Sequence, residues 1–112
     1  MITGVHVAIV NKDIQEAYEF LRDKLGLPHY DAGGGFLIFD PPEVELAVDA
    51  STEPPYEVSF FCDDLETTIE DLESRGVACA KPIRDETWGR LSEFQLPNGH
   101  AVMLYERKYA KG

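Results

Sequence analysis

A set of polar side chains stands out in otherwise apolar, strand-like stretches: His6, Glu45, Asp49, Glu57, Glu93, Gln95 and Glu106. By the two-residue alternation of a strand, each falls opposite the residues that a covering helix would bury. A histidine gathered with carboxylates and a carboxamide on one side of a sheet marks a candidate functional face. The chemistry on offer is acidic, and an acidic field attracts a cationic ligand, although the same charge also serves solubility. Phe61 and Trp88 would add flat aromatic faces on which a ligand could stack. Trp88 and Arg90 sit on a polar loop and would shape the rim of the site.

These residues need elements to position them, and two similar stretches supply the plan. Leu96-Pro97-Asn98-Gly99 is turn chemistry, followed by an apolar run ending on Glu106. Phe39-Asp40-Pro41-Pro42 is followed by an alternating run ending on Asp49. The two carboxylates correspond at an offset of 57 residues (106 − 49). Further forward, Asp13 and Asp64 correspond at 51 (64 − 13), which also pairs His6 with Glu57 and Leu21 with Leu72. The chain therefore reads as a duplicated unit, with about six extra residues in the middle of the second copy.

Each copy reads as strand, helix, then three strands. Residues 2–10 are rich in β-branched residues and predict a strand. Asp13 and Asp64 are N-caps, each leading a helix with one apolar stripe that stops at Gly26 or Gly76. In the first copy, residues 29–31 and 36–39 flank a glycine-rich reversal, and residues 44–49 form the last strand. In the second, strands are expected at 56–62, 77–80, 91–96 and 101–106, with the extra residues at 82–90. The tail from Lys108 is expected to fray. The first unit spans about residues 1–50, the linker 51–55 and the second unit about 56–107, all within a single domain covering residues 1–112.

Composition narrows the function classes. A hydrophobic fraction of 44% suits a globular protein, and no run approaches a membrane span. A net charge of −11 opposes binding to phosphate backbones, so no nucleic-acid or membrane partner is expected. The first residues lack the pattern of a signal peptide, which makes a cytoplasmic location the expectation. Cys62 and Cys79 are too few for a disulfide framework and read as buried free thiols. Gly33-Gly34-Gly35 is not followed by the helix start of a phosphate loop and reads as a reversal.

The duplicated unit, with His6 in Val-His-Val-Ala-Ile-Val, the Asp13 cap, Cys-Asp-Asp-Leu-Glu at 62–66, Trp88-Gly89-Arg90 and Leu-Pro-Asn-Gly-His at 96–100 running on to Leu-Tyr-Glu at 104–106, resembles the vicinal oxygen chelate superfamily. That group includes glyoxalase I, the bleomycin-resistance proteins and the extradiol dioxygenases. The resemblance implies an α+β fold: tandem βαβββ units forming a curved mixed sheet cup, with helices on its outer face. Carried over by position, it implies a metal site of His6, Asp49, Glu57 and Glu106, with Glu45 as the alternative to Asp49. Glu57 stands where metal-dependent members usually have a second histidine, which makes the site oxygen-rich and suits Mn²⁺, Fe²⁺, Ni²⁺ or Zn²⁺. The activity so implied is that of a metal-dependent lyase or isomerase acting on a small α-hydroxycarbonyl substrate through an enediolate, with Glu106 or Glu57 as base. The alternative is a metal-free binding protein that sequesters a cationic or aromatic small molecule. In both, Phe61, Trp88, Arg90, Glu93 and Gln95 would line the substrate pocket, and a homodimer is expected.

Overall fold

The computed structural model describes Met1, residues 6–48 and residues 57–110. Helix α1 (Ile14–Glu19) runs on into a π-helical turn (Phe20–Lys24). Then come β1 (His29–Asp31), β2 (Leu37–Phe39), β3 (Ser59–Cys62), α2 (Leu65–Ser74), β4 (Arg84–Asp85), β5 (Gly89–Gln95) and β6 (Ala101–Arg107). β1 and β2 form an antiparallel pair, and the other four strands form a mixed sheet in the order β3-β6-β5-β4. Within that sheet β3 runs parallel to β6, whereas β4, β5 and β6 are antiparallel neighbours. The class is α+β with a curved mixed sheet, as the family resemblance implies.

Both helices begin where the sequence predicts. Asp13 accepts from the Glu16 backbone N–H and Asp64 from that of Thr67, each at 3.1 Å, so each satisfies a donor the helix cannot pair internally. α2 ends in a double bond: Val77 N–H to the Leu72 carbonyl at 3.0 Å and Gly76 N–H to the Glu73 carbonyl at 3.1 Å. The closure needs a left-handed residue, and Gly76 supplies it at φ +86°. Leu72 and Val77, at the two ends of the outer bond, are both buried and join the core.

That core lies between α2 and one face of the mixed sheet. Leu65, Ile69 and Leu72 of α2 pack with Phe94, Leu96, Val102 and Leu104, and Phe60 closes its edge. Leu65 is wholly buried, and burying one such side chain contributes roughly 1.5–3 kcal/mol. The β5–β6 hairpin closes at Pro97-Asn98-Gly99, where Leu96 N–H donates to the His100 carbonyl and Gly99 N–H to the Leu96 carbonyl, both at 2.9 Å. On the other side of the chain, Leu37 N–H donates to the Tyr18 hydroxyl at 3.2 Å, which ties α1 to β2.

Several expected strands differ. Among the described residues, 6–10, 43–48 and 77–80 lie outside any strand. Residues 77–80 run beside β5, with one Ala80 N–H to Glu93 carbonyl bond at 2.8 Å rather than a ladder. Residues 43–48 keep their alternating sequence, yet Val44, Leu46 and Val48 are 69%, 78% and 99% exposed, and among the described residues no sheet edge covers them. The insertion at 82–90 carries β4, a short strand where a polar loop was expected.

Candidate functional site

Strand register assigns the faces of the mixed sheet. Residues paired across neighbouring strands share a face, and the next residue along faces the other way. Phe60, Leu104 and Ser92 form one rung, and Phe94 pairs with Val102; these point toward α2. Cys62, Glu106 and Arg90 form another rung of the same parity. The opposite face, left open by α2, carries Phe61, Tyr105 and Leu91 in one rung, of which Tyr105 and Leu91 are buried, then Ser59, Met103 and Glu93 in another, and Arg107 beyond them.

Glu106 is therefore on the helix side, and this corrects its expected place beside Glu93 and Gln95. The contacts agree with the parity. Arg90 Nη1 donates to Glu106 Oε2 at 2.9 Å and to Glu66 Oε1 of α2 at 3.1 Å. Arg90 Nη2 also meets Glu66 Oε2. The bonds to Glu66 push the Arg90 pKa upward and pull that of the Glu66 carboxyl down. Arg90 is thus a strut from the sheet to α2 rather than a wall of the open face.

On the open face, a denser group forms around Tyr105. Its ring lies 5.8 Å from that of Phe61 and 5.4 Å from that of Trp88, the latter edge-on at 81°. The Arg107 guanidinium stands 4.3 Å over the Phe61 ring and 5.6 Å from that of Tyr109, within the range of a cation–π contact. The Tyr105 and Tyr109 hydroxyls each donate to Glu45 Oε1 at 2.5 Å. Arg107 Nη1 donates to Glu45 Oε2 at 3.3 Å and meets Glu43 Oε2 at 2.9 Å.

The ionisation states follow from these contacts. The Tyr105 and Tyr109 hydroxyls hold the Glu45 carboxyl below its ordinary range, with Arg107 adding to the effect. Burial, and then the bond to Glu45, pushes the Tyr105 hydroxyl well above its ordinary value, so it stays a donor. Burial likewise raises the Cys62 and Cys79 thiols, which keeps both protonated and unreactive.

Of the expected pocket residues, Phe61 and Trp88 belong to this group. Glu93 and Gln95 share its face but are exposed further along β5, where they border a depression of about 520 Å³ with Phe20, Cys79 and Ala101. His6 and Glu57 are exposed, and Asp49 lies outside the described residues. Among the described residues, no three His, Cys, Asp or Glu side chains come together in a way that could hold a metal ion. Of the residues implied for a metal site, Glu106 is paired with Arg90 and Glu45 with three donors, so among the described residues these two carboxylates are already engaged.

Tyr105, Arg107 and Tyr109 were missed in the sequence reading. Tyr105 and Arg107 could have been found by counting in twos from Phe61 through its β6 partner. Tyr109 was expected to fray, and instead its ring and hydroxyl close the group.

Residues 4–104 match the family model described as Glyoxalase/Bleomycin resistance protein/Dioxygenase superfamily. The chain belongs to that superfamily. Within it, a crystal structure of a member from Sphaerobacter thermophilus DSM 20745 superposes with a TM-score of 0.68 at 25% identity, covering 95% of this chain and 98% of that one. TnmS3, an antibiotic binding protein from Streptomyces sp. CB03234, shares the fold with a TM-score of 0.64 at 24% identity, covering 92% and 100%. The uncharacterized protein YraH of Bacillus subtilis (strain 168) is 21% identical over 123 residues, 91% of this chain and 96% of that protein. Superfamily membership accords with the mixed sheet, and Phe61, Tyr105, Trp88, Arg107, Tyr109 and Glu45 furnish the face away from α2. They offer aromatic rings, two phenol donors, a guanidinium and a carboxylate, a set suited to binding a flat, polar-tipped molecule.

Proposed function

We propose that the chain is a small-molecule binding protein that holds a planar aromatic ligand on the open face of the mixed sheet, without calling on a metal. The observation that carries this reading is the continuous wall of Phe61, Tyr105 and Trp88, with ring centroids 5.4–5.8 Å apart. Trp88 is 39% exposed, so part of that wall faces solvent and can take a partner. The fold neighbour TnmS3, an antibiotic binding protein, is in keeping with this use of the scaffold.

The lyase or isomerase reading needs His6, Asp49, Glu57 and Glu106 on one ion. The Arg90 partner of Glu106, on the helix side, speaks against it. A homodimer within a cytoplasmic setting completes the proposal. A second copy would cover Val44, Leu46 and Val48, an exposed alternating run that a strand partner would bury.

The test is a thermal-shift screen of neutral, anionic and cationic planar aromatics, followed by calorimetry on the native protein and on Trp88→Ala. Loss of one stacking ring should weaken binding about two- to tenfold. A screen in which no aromatic raises the melting temperature, with one divalent ion found per chain by elemental analysis, would refute the binding reading and restore the metal enzyme. Light scattering in solution checks the dimer.

A further inference from the structure

Three donors converge on one carboxylate at the open face, and that carboxylate belongs to the chain itself. Tyr105 Oη, Tyr109 Oη and Arg107 Nη1 all point at Glu45, from 60, 64 and 62 residues away in sequence. Two phenols and a guanidinium around one group make an oxyanion receptor, since each can donate and none needs to lose a proton to do so. Phe61 and Trp88 flank the receptor with aromatic surface.

Among the described residues, the segment that carries Glu45 has little else to hold it. Residues 43–48 lie outside any strand, and the apolar neighbours Val44 and Leu46 are 69% and 78% exposed. Glu43 and Glu45, by contrast, reach Arg107. The segment is thus held against the open face at least in part by its carboxylates. An incoming carboxylate could take the place of Glu45 without changing the charge at the receptor.

We infer that the Tyr105–Tyr109–Arg107 cluster is a carboxylate-binding subsite which Glu45 occupies as an internal stand-in, so that the ligand class is aromatic carboxylates, bound by displacing the 43–48 segment. This rests on the aromatic-binding reading above and adds to it a charge and a competitor. It also reverses the sign suggested by overall composition. The net charge of −11 favours cations at long range, but salt screens that field over about 10 Å, whereas the donors act at contact.

Three probes of one shape separate the possibilities: 2-naphthoate, 2-naphthamide and 2-naphthylmethylammonium. The single tryptophan provides one indole N–H resonance as a reporter at the site, and calorimetry supplies affinities. Glu45→Gln keeps an acceptor but loses the charge. It should bind 2-naphthoate about three- to tenfold more tightly than the native protein, with the amide changed far less. Arg107→Gln should lose the preference for naphthoate over the amide, and unchanged binding of the amide shows that the variant is folded. Binding of naphthoate to Glu45→Gln alone, and not to the native chain, would still support displacement.

An ammonium or amide that binds the native protein as well as the carboxylate does would overturn the inference and leave the aromatic reading standing. So would equal naphthoate affinity in the native protein and Glu45→Gln. If none of the three probes moves the indole resonance in either protein, the inference falls and the aromatic reading falls with it.

Discussion

Tyr105→Phe isolates the bond on which the open-face cluster turns. The ring keeps its place against Phe61 and Trp88, and only the hydroxyl that donates to Glu45 Oε1 at 2.5 Å is lost. Tyr105 is 8% exposed and its acceptor is charged, so the bond belongs with charge-assisted ones, worth roughly 1.5–3 kcal/mol. Glu45 is more exposed and keeps Tyr109 and Arg107, which places the loss at the lower end, about 1–2 kcal/mol. For a chain of this size that is a fall of about 3–6 °C in melting temperature per kcal/mol. The pH dependence has a definite sign. The Glu45 pKa is depressed in the folded state below its ordinary 4.5. Its contribution is therefore fully present above that value and fades as pH falls through the folded pKa. Tyr105 is the largest cause of the depression, so the gap between native and Tyr105→Phe should be widest at neutral pH and narrow as pH falls through the folded pKa of Glu45. Urea unfolding of the native protein, Tyr105→Phe, Glu45→Gln and the double variant closes a cycle, with an expected coupling of about 1–2 kcal/mol at pH 7. Additivity within about 0.3 kcal/mol, or a gap that stays constant with pH, would show that the two groups do not act together.

Other perturbations test the frame around the site. Leu65→Ala empties the centre of the α2–sheet core and should cost about 2–5 kcal/mol in urea unfolding; a cost under about 1 kcal/mol would mean the core is misplaced. Asp64→Ala removes the α2 N-cap bond to Thr67 and should cost about 0.5–2 kcal/mol, with Asp64→Asn recovering most of it. Gly89→Ala should destabilise by about 1–3 kcal/mol, because the new Cβ would stand 2.7 Å from the Glu106 carbonyl oxygen, and β5 or β6 must move. Its amide spectrum should shift at Trp88 and Arg107; a variant as stable as the native protein would refute that close approach.

Signals a few residues long were legible in the sequence. The Asp13 and Asp64 caps, the Gly76 stop and the Pro97-Asn98-Gly99 turn each depend on neighbours within a few positions, and each is where the pattern puts it. Alternation puts Glu106 on the other face from that expected, because it falls in step with Val102 and Leu104, two and one places back along the helix-facing side of its strand. Strand parity, counted from Phe61 through its partner Tyr105, decides the face. The Glu45 cluster was beyond reach for another reason. Its bonds join residues 60 to 64 apart, and nothing in local composition announces a contact of that span. Glu45 itself was weighed for a metal, since a carboxylate on an alternating run looks the same whether its partner is an ion, an arginine or a pair of phenols.

A carboxylate-rich chain can keep its acids from a shared metal ion by pairing them with arginines. Glu106 and Glu66 both lean on Arg90, while Glu43 and Glu45 both lean on Arg107. Each arginine serves two carboxylates, so each group retains an excess negative charge, and among the described residues neither gathers a third acidic ligand. A divalent ion at either place would have to compete with a guanidinium already pairing two carboxylates, and those two carboxylates supply four oxygens at most of the six or more that a hard cation usually collects. The two arginines also divide the labour of the sheet. Arg90 braces the helix side, where Cys62 and Leu104 sit in or against the core. Arg107 lies on the side where Trp88 and the 43–48 segment meet solvent. Replacing Arg90 should therefore lower stability and leave ligand charge preference unchanged, whereas replacing Arg107 should alter charge preference. Urea unfolding and calorimetry on Arg90→Met and Arg107→Gln would separate the two roles, and a change in charge preference caused by Arg90→Met would refute the division.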